Sequence, residues 1–96
     1  MHNSIQKYKY IISLIKSKLE DQKITKLPIP EIIEVGNVIS TLQKGLILDA
    51  RYVDHPLVGN WHGFRDCHIK PDLVLIYRIH ESYLQLARIG THNDVF

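Results

Sequence analysis

Cysteine occurs once in this 96-residue chain, at Cys67, so no internal disulfide can brace it. A lone thiol fits a reducing compartment. No apolar run approaches the roughly 18 residues that a membrane span needs. The opening stretch MHNSIQKYKYII carries lysines ahead of apolar residues, but it lacks a continuous hydrophobic segment and a small-residue cleavage site. Neither a membrane partner nor a signal peptide is expected, and the expected location is cytoplasmic. Metal-ligand spacings are missing too: there is no HExxH, no CxxC and no HxxxH on a helix. No metal and no cofactor is therefore expected. Repeats, low-complexity tracts and linkers are also lacking, which points to one domain over residues 1–96.

Net charge is scarce, at only +2, although the charged fraction of 23% is ordinary. Its distribution says more than its total. Residues 1–30 hold six lysines against Glu20 and Asp21, and Arg51, Arg65, Lys70, Arg78 and Arg88 are spread through the second half. Such a pattern suits a polyanion such as RNA, or an acidic protein. Lysines on a solvated helix face explain the N-terminal cluster equally well.

Ile5, Tyr8, Ile12, Ile15 and Leu19 step by three and four, which predicts a helix over about Ile5–Lys23. Asn3 or Ser4 could cap it. The prolines of TKLPIP end it. Pro30 suits the first turn of a second helix with Glu31 beside it; Ile32, Val35, Ile39 and Leu42 form its stripe and Gly45 its stop. Three strand-like runs follow an irregular stretch, at about 63–69, 73–79 and 83–89. Lys70-Pro71-Asp72 and His80-Glu81-Ser82 supply the turns between them. The fold class is α+β: two N-terminal helices packed on a mainly antiparallel sheet that ends in a three-strand meander.

Five of the six histidines lie between Asp54 and Phe96, together with the only Trp and both Phe. By strand alternation Phe64, Asp66 and His68 share one face and Cys67 and Ile69 the other; Leu84, Leu86 and Arg88 share a face of the last strand. His55, His68 and His92 with Asp66 and Asp72 can then gather on one surface. Histidine takes and gives protons near neutral pH, and Arg65, Arg78 or Arg88 can hold a phosphate. RNA suits such a site because its 2′-OH is a built-in nucleophile. Bland readings stand beside this one. Any single histidine can be a satisfied turn residue, as His62 and His80 are expected to be. Cys67 reads as a core residue, and Trp61 reads as a packing anchor or a base-stacking platform.

DHPL at 54–57, GNW at 59–61, GFRDCHIKPD at 63–72, LIYRI at 75–79 and ARIGTHNDVF at 87–96 together resemble the YafQ-type toxins of the RelE superfamily, found in bacterial type II toxin–antitoxin systems. The resemblance implies a small α+β mRNA interferase. Such an enzyme cleaves mRNA on the ribosome, is held inactive by a cognate antitoxin, and meets operator DNA only through the antitoxin complex. It also implies catalytic roles for His55, Asp66, His68, Asp72 and His92, and a base-stacking role for Phe96. Arg65, Arg78, Arg88 and Trp61 are the RNA- or phosphate-binding candidates taken from the strand pattern. A non-catalytic RelE-fold module that only binds its antitoxin is the alternative. Two departures stand out. Leu73 sits where relatives often have Trp, and Met1 to Lys7 is a poor candidate for the strand that begins relatives. The sheet should lack that edge strand or draw it from elsewhere.

Overall fold

Pro28 and Pro30 mark a helix start because the first turn leaves its amides free, so proline costs nothing there. In the computed structural model, which describes residues 9–12 and 27–96, helix α1 runs Ile29–Gln43 with Pro30 and Glu31 in its first turn. Val35, Val38 and Leu42 are buried along one face. Ile32, expected in that stripe, is 37% exposed, so the packed stripe begins at Val35. Gly45 adopts a φ of 73°, and the amides of Gly45 and Leu46 return to the carbonyls of Leu42 and Thr41 at 3.0 and 3.2 Å. That closure ends the helix.

The strands are β1 (Lys9–Ile12), β2 (His55–Pro56), β3 (Arg65–Lys70), β4 (Leu73–His80) and β5 (Tyr83–Gly90). They form one sheet in the order β1-β5-β4-β3-β2. Neighbours from β2 to β5 pair antiparallel, whereas β1 runs parallel to β5. The meander and its two turns lie where the sequence placed them, and the α+β class holds. The helix expected over Ile5–Lys23 does not hold as a whole. Lys9–Ile12 is a strand, and the remainder of that expected helix lies outside the described residues. The KYII segment can satisfy its amides on the free edge of β5, and such pairing overrides a helical period over four residues. This segment supplies an edge strand; Met1 to Lys7 lie outside the described residues.

Apolar side chains are buried on both faces of the sheet. On the α1 side, Val35, Val38 and Leu42 pack with Leu48, Tyr52, Cys67, Leu75, Tyr77, Leu84, Leu86 and Ile89. On the other side, Val74, Ile76, Ala87 and Val95 form a smaller cluster roofed by Leu57, Trp61 and Phe64. Each large side chain so buried contributes about 1.5–3 kcal/mol.

One irregularity decides which face carries which group. Ile76 pairs with Arg88 but Tyr77 pairs with Leu86, leaving Ala87 as an extra residue in β5. A bulge of this kind turns over every side chain beyond it. Leu84 and Leu86 therefore face α1, while Arg88 emerges on the face of Ile76. This corrects the expectation that the three share a face. Without the bulge, Arg88 would enter the apolar layer under α1.

Candidate active site

His55 stands at the end of a tightly built approach. Ala50–Tyr52 form a 3-10 turn capped by Asp49, whose carboxylate accepts from the Arg51 amide at 2.9 Å. Val53 closes that turn in the left-handed region at φ 50° and ψ 47°, a conformation that costs a residue with a Cβ about 1–2 kcal/mol. Asp54 then accepts hydrogen bonds from the Tyr77 hydroxyl at 2.7 Å and from Arg65 Nε at 3.1 Å. His55 follows, its Nδ1 at 2.9 Å from the Val53 carbonyl oxygen and 3.1 Å from Asp66 Oδ1. The Val53 contact has hydrogen-bond geometry. Asp66 Oδ1 is a close charge neighbour, buried without a hydrogen bond of its own.

Register lines up the rest. His55, Asp66, Ile76 and Arg88 occupy one rung across β2, β3, β4 and β5. His68, Val74 and Gly90 form the next rung on the same face, two positions along. Asp66 is 4% exposed, His68 is half-buried, and Asp72 is exposed in the turn before Leu73. As expected, Asp66 and His68 lie on the face away from α1, whereas Cys67 and Ile69 lie beneath it. Burial, with the negative charges of Asp54 and Asp66, pushes the Cys67 thiol up to about 12.

Beyond Gly90 the chain turns into α2 (His92–Val95). Thr91 caps it reciprocally: its hydroxyl accepts from the Asp94 amide and its own amide donates to the Asp94 carboxylate, both at 3.2 Å. Val95 is fully buried and fixes the turn to the sheet. His92 and Phe96 stay on the solvent side, with ring centroids 4.8 Å apart. Gly90 is required here, since a Cβ at that position would meet the Cβ of Asp94 at 2.9 Å.

The arginines divide between the faces. Arg88 lies over the Trp61 ring at 5.1 Å, donates to the Val95 carbonyl at 3.3 Å, and keeps Nε buried without a partner. Arg78 lies over Phe64 at 4.8 Å and donates to Gln85 at 2.5 Å. Arg65 pairs with Tyr77 on the α1-side row and binds Asp54, so it sits across the sheet from Asp66 and His68. Its face follows from alternation, and its Nε is taken by the Asp54 carboxylate. Trp61 packs edge-on against Phe64, centroids 5.2 Å apart, as an anchor that also carries Arg88. His62 and His80 are exposed, as expected of residues in or near turns; His80 is the last residue of β4. Sequence reasoning missed Tyr77. A tyrosine inside the apolar run LVLIYRI was the signal, because a buried phenol needs a hydrogen-bond partner.

The model of the bacterial YafQ toxins of type II toxin–antitoxin systems matches residues 6–96. The chain belongs to this YafQ toxin family. The mRNA interferase toxin YafQ of Escherichia coli K12 is 49% identical over 51 residues, which are 53% of this chain and 55% of that relative. The matched stretch thus spans about half the length of this curated YafQ relative. Solved structures extend the likeness. A YafQ mutant from E. coli superposes with a TM-score of 0.77 at 30% identity, covering 93% of this chain and 98% of that one. YafQ in the E. coli DinJ–YafQ toxin–antitoxin complex gives 0.72 at 33% identity, over 94% and 98%. A copper-bound mutant toxin from Helicobacter pylori gives 0.77 at 36% identity, over 93% and 99%. In this YafQ-family chain, no three His, Cys, Asp or Glu side chains converge as a metal-binding group among the described residues.

Proposed function

We propose that this chain is an endoribonuclease that cleaves mRNA on the ribosome in the cytoplasm, without a metal ion, and that a cognate antitoxin restrains it. Contact with operator DNA would come only through the antitoxin complex. The observation that carries this proposal is the placement of two histidines, each with its own partner, along one face of the sheet. His55 stands against Asp66, and His92 stands against Phe96.

The chemistry follows from those partners. Nε2 of His55 takes the proton of a 2′-OH, whose oxygen attacks the adjacent phosphorus. The bond from phosphorus to the 5′-oxygen breaks, and His92 gives that oxygen its proton. Asp66 stands 3.1 Å from the His55 ring, beside the nitrogen that does not take the proton. Arg88 supplies positive charge on the same face for the developing phosphorane. Phe96, half exposed beside His92, offers a stacking surface to a base, which also orients the scissile bond. His68 and Asp72 lie at the same end of the sheet as His92.

The test is a single-turnover cleavage assay on programmed ribosomes, using protein either untreated or first stripped with EDTA and desalted into the magnesium buffer that the ribosome requires, alongside induction in a bacterial host. Cleavage that survives EDTA, with growth arrest and loss of protein synthesis, is the expected result. Cleavage abolished by EDTA and restored by a divalent metal would replace the mechanism by a metal-dependent one. Folded protein that binds ribosomes and antitoxin but cuts nothing would make the chain a non-catalytic binding module.

A further inference from the structure

His55 can serve as a base only in one of its two neutral tautomers. A backbone carbonyl accepts and never donates, so the Nδ1 that faces the Val53 oxygen at 2.9 Å must carry the hydrogen. Asp66 Oδ1 lies 3.1 Å from the same nitrogen but makes no hydrogen bond to it, so the Val53 carbonyl makes the choice. The lone pair of the neutral ring is then on Nε2, on the side away from both acceptors. The tautomer depends on where the Val53 carbonyl points, and Val53 holds a left-handed backbone that a valine does not adopt by itself.

Something must hold it there, and the bonds around it show what does. The Val53 amide donates to the Ala50 carbonyl at 3.0 Å. The next residue, Asp54, is gripped from two strands at once, by Tyr77 of β4 and Arg65 of β3. The Tyr77 hydroxyl is held in its neutral, donating form, because burial and the hydrogen bond to Asp54 raise its pKa. Val53 is thus trapped between a capped turn and an anchored carboxylate, and relaxation of its backbone would swing the carbonyl away from His55.

We propose that Asp54, Tyr77 and Arg65 are positioning residues that lock the Val53 carbonyl onto His55 Nδ1 and thereby keep Nε2 free to accept the proton of the RNA 2′-OH. This inference rests on the assignment of His55 as the base. It also gives a role to the Asp of DHPL, whose carboxylate is taken up by Tyr77 and Arg65.

The experiment uses full-length ¹⁵N-labelled protein and two variants. Y77F keeps the ring in the core and removes one hydroxyl; R65Q changes a partly exposed side chain that the core does not need. Two-bond ¹H–¹⁵N correlations report the His55 tautomer directly, and single-turnover cleavage reports rate and substrate affinity separately. The parent should show His55 as Nδ1–H. Each variant should show a mixture of tautomers and a cleavage rate reduced on the order of tenfold, the equilibrium value of one hydrogen bond, at unchanged substrate affinity. A purely structural role would lower the melting temperature and leave the tautomer alone. The proposal is overturned if the parent ring is Nε2–H, or if folded R65Q keeps the parental tautomer and rate. H55A separates the two levels. If H55A still cleaves at the parental rate, the base is elsewhere, whatever the tautomer measurements show.

Discussion

Gly90→Ala places one methyl group at the corner that aims His92. The new carbon would stand 2.9 Å from the Cβ of Asp94 and 3.1 Å from its Oδ2, whereas carbon–carbon contacts settle at about 3.5–4.0 Å. The carboxylate can rotate away, but the Cβ of Asp94 is fixed to the backbone of α2. Relief therefore requires α2 to move by at least about 0.6 Å, the shortfall from that contact distance. Buried Val95 resists that movement, so the variant should lose about 1–3 kcal/mol, as overpacked sites do. At about 4–8 °C per kcal/mol for a domain of this size, the melting temperature falls by roughly 4–24 °C. The loss of rate should exceed what the lost stability explains, because misplacing a reacting group by 1 Å costs about 10²-fold. Single-turnover cleavage well below the melting transition should thus drop by about 10- to 10²-fold at nearly constant substrate affinity. Asp94→Gly in the alanine background removes the offending carbon and should restore part of the rate, even though it also removes half of the Thr91 cap. An alanine variant that melts and cleaves like the parent would refute this account of how His92 is placed.

His92→Ala should lose about 10²–10⁴ in single-turnover rate and melt like the parent, while His62→Ala, an exposed turn residue, should retain full activity; equal losses would show the site assignment to be wrong. Cys67→Ser should cleave normally but unfold more easily by about 1–3 kcal/mol, the cost of burying a hydroxyl, as read from denaturant midpoints. Stability should also fall at alkaline pH. The Cys67 pKa rises from an ordinary 9.0 to about 12 on folding, so its contribution is complete below pH 9 and is lost as the pH climbs toward 12. Melting curves across that window should flatten in Cys67→Ser relative to the parent. Arg88→Met should keep the packing over Trp61 yet weaken transition-state binding, lowering the rate by about 10²–10³-fold if Arg88 faces the developing charge.

The meander was legible because β3, β4 and β5 are separated by turns that announce themselves, Pro71-Asp72 and Glu81-Ser82, and because β4 is apolar on both faces. Strand alternation also placed Asp66 and His68 opposite Cys67 and Ile69 correctly. It failed at Arg88, since alternation assumes an unbroken ladder and nothing in ARIG signals that Ala87 is an extra residue. Arg65 was legible only in part. The charge was visible, but the carboxylate that claims it comes from Asp54, eleven residues earlier. β1 was hidden because Tyr8, Ile12 and Ile15 fit a helical period, and a four-residue edge strand leaves little pattern of its own. What made Lys9–Ile12 a strand was the unfilled edge of β5, a partner that no local window contains.

That edge pairing also sets an order of events. β1 joins the ninth residue to the eighty-third, and closing a loop of that span costs about 4 kcal/mol of chain entropy by the logarithmic law. The β4–β5 hairpin closes over a two-residue turn and should form early; β1 can dock only after its template exists. In refolding, the amides of Lys9–Ile12 should gain protection last, and in native-state exchange they should open first, with a free energy well below that of β4. The sheet is therefore completed by its most distant contact, and the early-forming part is the hairpin that leads directly into His92.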